Sequence, residues 1–234
     1  RESNEDAILI LDEIIQAPDI DTPINRIIEE PKAIFAIADG IGGYEGGEFA
    51  SRIVLEVFSQ RFLEINNYYD LEEAIKIAHN KLIEFSKHNI KYNKLGTTIS
   101  GLIFFNSIAL CFNMGDSRVY RINSSFLEQI SKDHSIVQQL IDKGIIGYSQ
   151  AMNHPKRNII YSYIGVDLYE KNFDIYCKDL SIKEGDVFII CSDGLTDILN
   201  IEELESCLDD KIDLTINNFY NKVLEKGAND NLSI

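Results

Sequence analysis

The sequence is short of positive charge. Its 234 residues carry 22 Lys and Arg against 38 Asp and Glu, a net charge of −16. Polyanion backbones and anionic lipid surfaces hold proteins through surplus cations, so nucleic acid and membrane surfaces are set aside as partners. No apolar run approaches the roughly 18 residues that span a bilayer, and there is no signal-peptide pattern, so no membrane is expected within this chain. Cysteine is sparse and unpaired in sequence. Cys111, Cys177, Cys191 and Cys207 form no CxxC, and "LCF" and "IICSD" place Cys111 and Cys191 in apolar runs. They read as buried reduced thiols of a cytoplasmic protein. His79, His88, His134 and His154 are scattered without zinc spacing. The glycines at 40–47 are not followed by Gly-Lys-Ser/Thr, and Glu45 stands where a dinucleotide fingerprint beginning at Gly40 needs glycine. Nucleotide binding there is disfavoured.

What is present is a globular composition, 45% apolar and 26% charged. A chain of this length buries a sizeable core without disulfides. It begins at Arg1 and stops within "NDNLSI"; the expectation is one catalytic domain over 1–234, trimmed at both ends. Residues 7–15 and 33–38 read as strands. From Phe49 to Leu63 the apolar positions recur every four residues, which predicts an amphipathic helix. A second helix is predicted with Asp70 and Glu73 at capping-box spacing and an apolar face running from Leu71 to Phe85. "TTISGLIFF", "IALCFNM", "RVYRI" and "FLEQI" follow as antiparallel strands with turns at Asn106-Ser107 and Asn123–Ser125. Residues 133–143 look helical and 144–172 form a long irregular excursion. Strands at 173–180 and 186–191, helices after Asn200 and over 212–226, and a strand starting at 232 complete the chain. That order predicts an α+β layered fold rather than a parallel βαβ one.

Carboxylates recur at the ends of the apolar strands. "IFAIADG" ends in Asp39-Gly40 and "VFIICSDG" in Asp193-Gly194; Asp116 closes "IALCFNMGD", Asp230 precedes the last strand, and Glu5 and Asp6 precede the first. A single Asp at a strand end is turn chemistry. Several converging in one sheet system would repel one another unless cations pair them. An all-oxygen set suits Mg²⁺ or Mn²⁺, and Gly40 allows close backbone approach with its carbonyl available as a ligand.

In chain order, "RESNEDA", "DGIGGYEGGEFAS", "LGTT", "GDSR", "DHS", "HPKRN", "SDGL" and "DN" together resemble the PPM (type 2C) metal-dependent serine/threonine protein phosphatases, the bacterial branch best. The resemblance implies a four-layer αββα sandwich, two packed antiparallel sheets flanked by helix pairs. It implies that Asp39 bridges two metals, with the Gly40 carbonyl on one and Asp193 and Asp230 on the other. It places Asp116 with Asp193 at a weaker third metal, and Glu5 and Asp6 around metal-bound waters. Arg1 would grip the substrate phosphate, and residues 144–157 would form a flap beside the site. "DGIGGY" departs from the usual "DGMGGH" at Ile41 and Tyr44, and the general acid is unassigned.

The expected reaction is hydrolysis of phosphoserine and phosphothreonine by a metal-bound hydroxide at a Mn²⁺ or Mg²⁺ pair, reversing a bacterial Ser/Thr kinase. A phosphate monoester is very inert, and a metal pair supplies both a nucleophile and charge cancellation. Ser192 adjoins a ligand but reads as a structural hydroxyl, since no Ser-His-Asp arrangement accompanies it. Asp116 has a plainer reading, as a turn cap paired with Arg118. The expected partners are phosphoproteins and the opposing kinase, with the chain a cytoplasmic monomer. The rival readings are a catalytically weak binding or regulatory relative, and a small-molecule phosphatase.

Overall fold

The structure is a computed structural model that describes residues 3–17, 20, 22–41, 46–92, 94–165 and 173–234. The first expected strand is two. β1 (Asp6–Ile10) and β2 (Glu13–Ile15) form a hairpin, and Leu11 takes a left-handed φ of 57° at the turn. Its N–H donates to the Ile34 carbonyl and its side chain packs on the core, which holds the unusual conformation in place. β3 (Lys32–Asp39) is followed by α1 (Gly47–Arg61) and α2 (Tyr68–His88). The cap of α2 lies three residues earlier than the sequence spacing suggested. The Asn67 side chain accepts from the N–H groups of Tyr69 and Asp70, and the Asp70 carboxylate accepts from Asn66 N–H.

β4 (Gly96–Thr97), β5 (Ile99–Phe105), β6 (Ile108–Met114), β7 (Arg118–Asn123) and β8 (Phe126–Gln129) come next. The turns fall where predicted: Asn106 and Ser124 take φ of 54° and 58°. α3 (Ile136–Asp142) starts at a Ser135 cap rather than at 133. The excursion after it is less irregular than expected, holding a short α4 (Tyr148–Ala151) and β9 (Ile164–Gly165), which pairs with β4. β10 (Tyr176–Ser181), β11 (Val187–Cys191), α5 (Asp193–Thr196), α6 (Ile201–Glu205) and α7 (Ile212–Glu225) complete the elements. Residues 232–234 are not a strand. Ser192 N–H donates to the Ser233 carbonyl, and Ser233 N–H donates to Ser192 Oγ, so a side chain stands where a ladder bond would be.

The layers follow from alternation along the strands. A six-stranded sheet in the order β10-β6-β5-β3-β1-β2 faces a three-stranded one, β11-β7-β8, and every pairing is antiparallel. Ile99 and Ile103 of β5 point to α1 and α2, where Val54, Phe58, Leu71 and Ile75 meet them. Phe58 stacks on Phe112 at 5.5 Å between ring centroids, adding about 1 kcal/mol beyond area burial. Leu102 and Phe104, one residue out of step, turn the other way and pack with Cys111, Val119 and Ile190 between the sheets. Beyond the second sheet, Tyr120, Ile189 and Cys191 meet Leu195, Leu204 and Phe219 of the C-terminal helices. The order helix, sheet, sheet, helix is the expected αββα sandwich. Among the described residues no helix is long and apolar enough to cross a membrane.

Candidate metal centre

Strand pairing decides which carboxylates meet. Asp6 and Asp39 are direct partners in the β1–β3 register, so both project to one face. That face is opposite the one Ala7, Leu9, Ala36 and Ala38 present to the helices. The β7–β11 pairing sets Cys191 beside Arg118 and so brings the Ser192-Asp193 turn next to the Asp116-Ser117 turn. β3 and β6 end, and β1, β5 and β7 begin, at this same end of the sheets.

Both Asp-Gly pairs use glycine for close backbone approach. A Cβ on Gly40 would collide with the Gly47 carbonyl at the start of α1, and one on Gly194 with the Asn231 carbonyl. The second approach draws the 230–231 segment against Asp193. Asn231 ties it down: its Oδ1 accepts from Glu5 N–H at 3.1 Å and its amide donates to the Ser3 carbonyl. Glu5 is buried, its carboxylate against Gly47 at the N-terminus of α1, where the helix dipole favours negative charge.

Asp39 is anchored by its backbone. Its N–H donates to Thr98 Oγ1, and its carbonyl accepts from Thr98 N–H at 2.9 Å and from Thr97 Oγ1 at 2.8 Å. Thr98 Oγ1 also hydrogen-bonds Ser117 Oγ at 2.8 Å, which links the Asp39 turn to the Asp116 turn. Ser192 Oγ donates to Asp6 Oδ2 at 2.8 Å.

The electrostatics record the crowding. Burial first, then repulsion from Asp6, Asp193 and Asp116, pushes the Asp39 carboxyl well above the usual range. Burial raises Asp193 to about 6, with Asp197, Asp230 and Asp6 adding repulsion and the neighbouring Asp39 carboxyl offsetting part of it. Asp116 is raised well above the usual range by burial, Asp193 and Asp133. Asp6 is raised by burial and by Asp230, and the hydroxyls of Ser192 and Ser233 offset part of this. Asp6, Asp39, Asp116, Asp193 and Asp230 therefore share one neighbourhood, as the strand ends suggested. Arg1, Gly42, Gly43 and Tyr44 lie outside the described residues.

The protein phosphatase 2C family model matches residues 26–228. The chain belongs to the protein phosphatase 2C family. It is 29% identical over 215 residues to the serine/threonine phosphatase stp of Listeria monocytogenes, spanning 88% of this chain and 84% of that one. The fold superposes with a TM-score of 0.79 on the serine/threonine phosphatase Stp1 of Staphylococcus aureus, 29% identical, over 99% of this chain and 87% of that one. It also matches, at 23% identity and a TM-score of 0.72, the catalytic domain of PstP solved with two manganese ions, over 97% of this chain and 96% of that one. The expected enzyme class, a serine/threonine phosphatase, is the one these relatives carry.

The family is metal-dependent, and the donor chemistry here fits a hard divalent cation. The neighbourhood offers carboxylate oxygens and a glycine carbonyl, and desolvation plus mutual repulsion is the penalty a cation would relieve. Among the described residues, no three His, Cys, Asp or Glu side chains close by themselves around a single ion position.

Two features escaped the sequence reading. Arg118 is not paired with Asp116; its guanidinium forks onto Asp133, with Nη2 at 2.6 Å and Nε at 2.9 Å from Oδ2. Gln129 adds a second donor side chain to Asp133. The neighbouring His134 clasps the Asp116 turn, its Nδ1 accepting from Gly115 N–H while its own N–H donates to the Gly115 carbonyl at 2.8 Å. The "DHS" motif was legible as a motif but not as a brace, because nothing in its spacing names a partner. Asp133 is 3% exposed and Arg118 28%. Removing one partner of such a pair strands the other charge. Asp133→Ala should therefore cost about 3 kcal/mol, the low end because Arg118 keeps some solvent. That lowers Tm by on the order of 10 °C in a domain this size. Asp142→Ala, which removes an exposed partner of Lys132, should shift Tm by less than about 2 °C. Thermal melts of both variants in chelator check the difference.

Proposed function

We propose that this chain hydrolyses phosphoserine and phosphothreonine in proteins, reversing a Ser/Thr kinase in the cytoplasm. Asp39, the Gly40 carbonyl, Asp193 and Asp230 would hold two Mn²⁺ or Mg²⁺ ions, and Asp116 with Asp193 a weaker third. When bound, these cations supply positive charge against the phosphate oxygens and lower the pKa of the attacking water. The observation that carries the reading is the meeting of carboxylates from both sheets and the C-terminal segment at one end of the sandwich, with Asp39 and Asp116 pushed well above their usual range.

The chain's own groups position and exclude. Thr97 and Thr98 fix Asp39 through its backbone, which leaves its carboxylate for ligation. Ser192 and Ser233 orient Asp6, and Glu5 sits against α1 beside it. The hydroxyls next to the acidic turns serve the packing of those turns, Ser192 between Asp6 and Ser233 and Ser117 against Thr98, and the reading gives the attack to water and expects no phospho-enzyme. Arg1 would offer a planar fork to the phosphate, and residues 144–157 would form the flap beside the site.

Turnover of an aryl phosphate and a phosphothreonine peptide should require Mn²⁺ or Mg²⁺, fall below about a hundredth in excess chelator and return on adding metal, a change of at least about 2.7 kcal/mol in barrier. Phosphate release assays check it. Full activity in chelator would sink the reading. Turnover of nucleotides and sugar phosphates but not the peptide would move it to a small-ester phosphatase.

A further inference from the structure

A groove of about 940 Å³ leads away from Asp116 and Asp193. One wall comes from the 148–153 segment, with Tyr148 exposed at the lip. The other comes from residues 196–204, where Ile198 and the exposed Ile201 are followed by exposed Glu202. The lining carries six carboxylates and three cations. Each cation is paired within the groove: Arg118 with Asp133 at 2.6 Å, Arg157 with Asp197 at 3.5 Å and Lys226 with Glu203 at 2.5 Å. Asp116 and Asp193 belong to the proposed metal centre, whose cations would neutralise them. Glu202 is the carboxylate that then faces a peptide, on a wall of apolar side chains.

We propose that this groove seats the peptide flanking the phosphoresidue, and that Glu202 selects substrates carrying Arg or Lys in that flank. An Arg or Lys suits such a groove because its aliphatic stem packs on Ile198 and Ile201, across from Tyr148, while its charge stays wet beside the carboxylate. An acidic flank meets only repulsion, since every cation of the lining already has a partner. The proposal rests on the phosphatase reading of the adjoining centre.

The test is a set of phosphothreonine peptides in which a single residue is walked along the flanks as Arg, Ala or Glu. At one or two positions kcat/KM should be about five-fold higher for Arg than for Ala, and lower for Glu than for Ala. In Glu202→Gln the Arg-to-Ala ratio should collapse towards one, and in Glu202→Lys it should invert, with the Glu peptide now preferred. Because each ratio is taken within one variant, a change in overall rate does not enter it. A flat series in the wild type, or an Arg preference untouched by both substitutions, overturns the proposal. If the wild type with Mn²⁺ hydrolyses aryl phosphate while the series is flat, the groove proposal falls and the phosphatase reading stands. If it hydrolyses neither, both fall.

Discussion

Asp39→Asn is expected to lower turnover of aryl phosphate and phosphopeptide by more than about a thousandfold, some 4 kcal/mol in barrier, and to raise the Tm of the chelated protein. The two effects come from one cause. Asp39 sits among Asp6, Asp116 and Asp193, where burial and like charge hold its carboxyl well above the ordinary range. A neutral amide of the same shape removes that repulsion and also removes the charge that would hold the cations. The fold should survive, because the hydrogen bonds that fix residue 39 run through its N–H and carbonyl to Thr97 and Thr98 and do not involve the carboxylate. Steady-state rates with excess Mn²⁺, alongside melts in chelator, measure both. Retention of more than about a tenth of the wild-type rate, a loss under 1.4 kcal/mol, would contradict the assignment. A lowered Tm in chelator would show instead that Asp39 is a structural group.

Much of the architecture was readable because it depends on local periodicity. The four-residue recurrence along α1 and the alternation in β5 and β6 each specify an element and its buried face. Cases where periodicity is silent came out differently. Residues 7–15 read as one strand across Asp12-Glu13, yet the chain reverses at Leu11, because packing on the core holds a left-handed leucine there. Asp70 looked like a cap because Glu73 lies three residues on, but Asn67 has the same relation to Asp70 and is nearer the helix start. The segment after Asp230 reads as a strand by composition, yet the Ser192 hydroxyl takes the place of its ladder partner.

The site was legible to the extent that it lies at strand ends. Asp-Gly after an apolar run is a local signal that singles out Asp39 and Asp193, and the two carboxyls act on each other in the fold. Register and tertiary hydrogen bonds are not local. Nothing near Asp6 states that it will stand opposite Asp39, and the threonines and serines that fix the turns carry no periodic signature. Asp133 and Asp197 were missed for the same reason: each is defined by an arginine distant in sequence.

Asp116 should separate from Asp39 in a predictable way. The plainer reading made it a turn cap paired with Arg118, but that guanidinium is committed to Asp133. The turn itself is held by others: His134 clasps Gly115, Asn113 donates to the Gly115 carbonyl, and Ser117 bonds Thr98. Asp116→Ala therefore should not lower the Tm of the chelated protein, and relief of repulsion from Asp193 and Asp133 should raise it slightly. Activity should respond differently. A cation held by Asp116 with Asp193 would have fewer protein oxygens than one at the Asp39 position, so it would bind weakly and keep more water, as Mg²⁺ and Mn²⁺ readily do. The expected result is a loss of about a hundredfold in turnover, near 2.7 kcal/mol, with two tight metal sites retained and one weak site gone from a calorimetric titration. Near-normal rates with a Tm lowered by several degrees would restore the turn-cap role. Loss of a tight site would instead place Asp116 in the same cluster of ligands as Asp39.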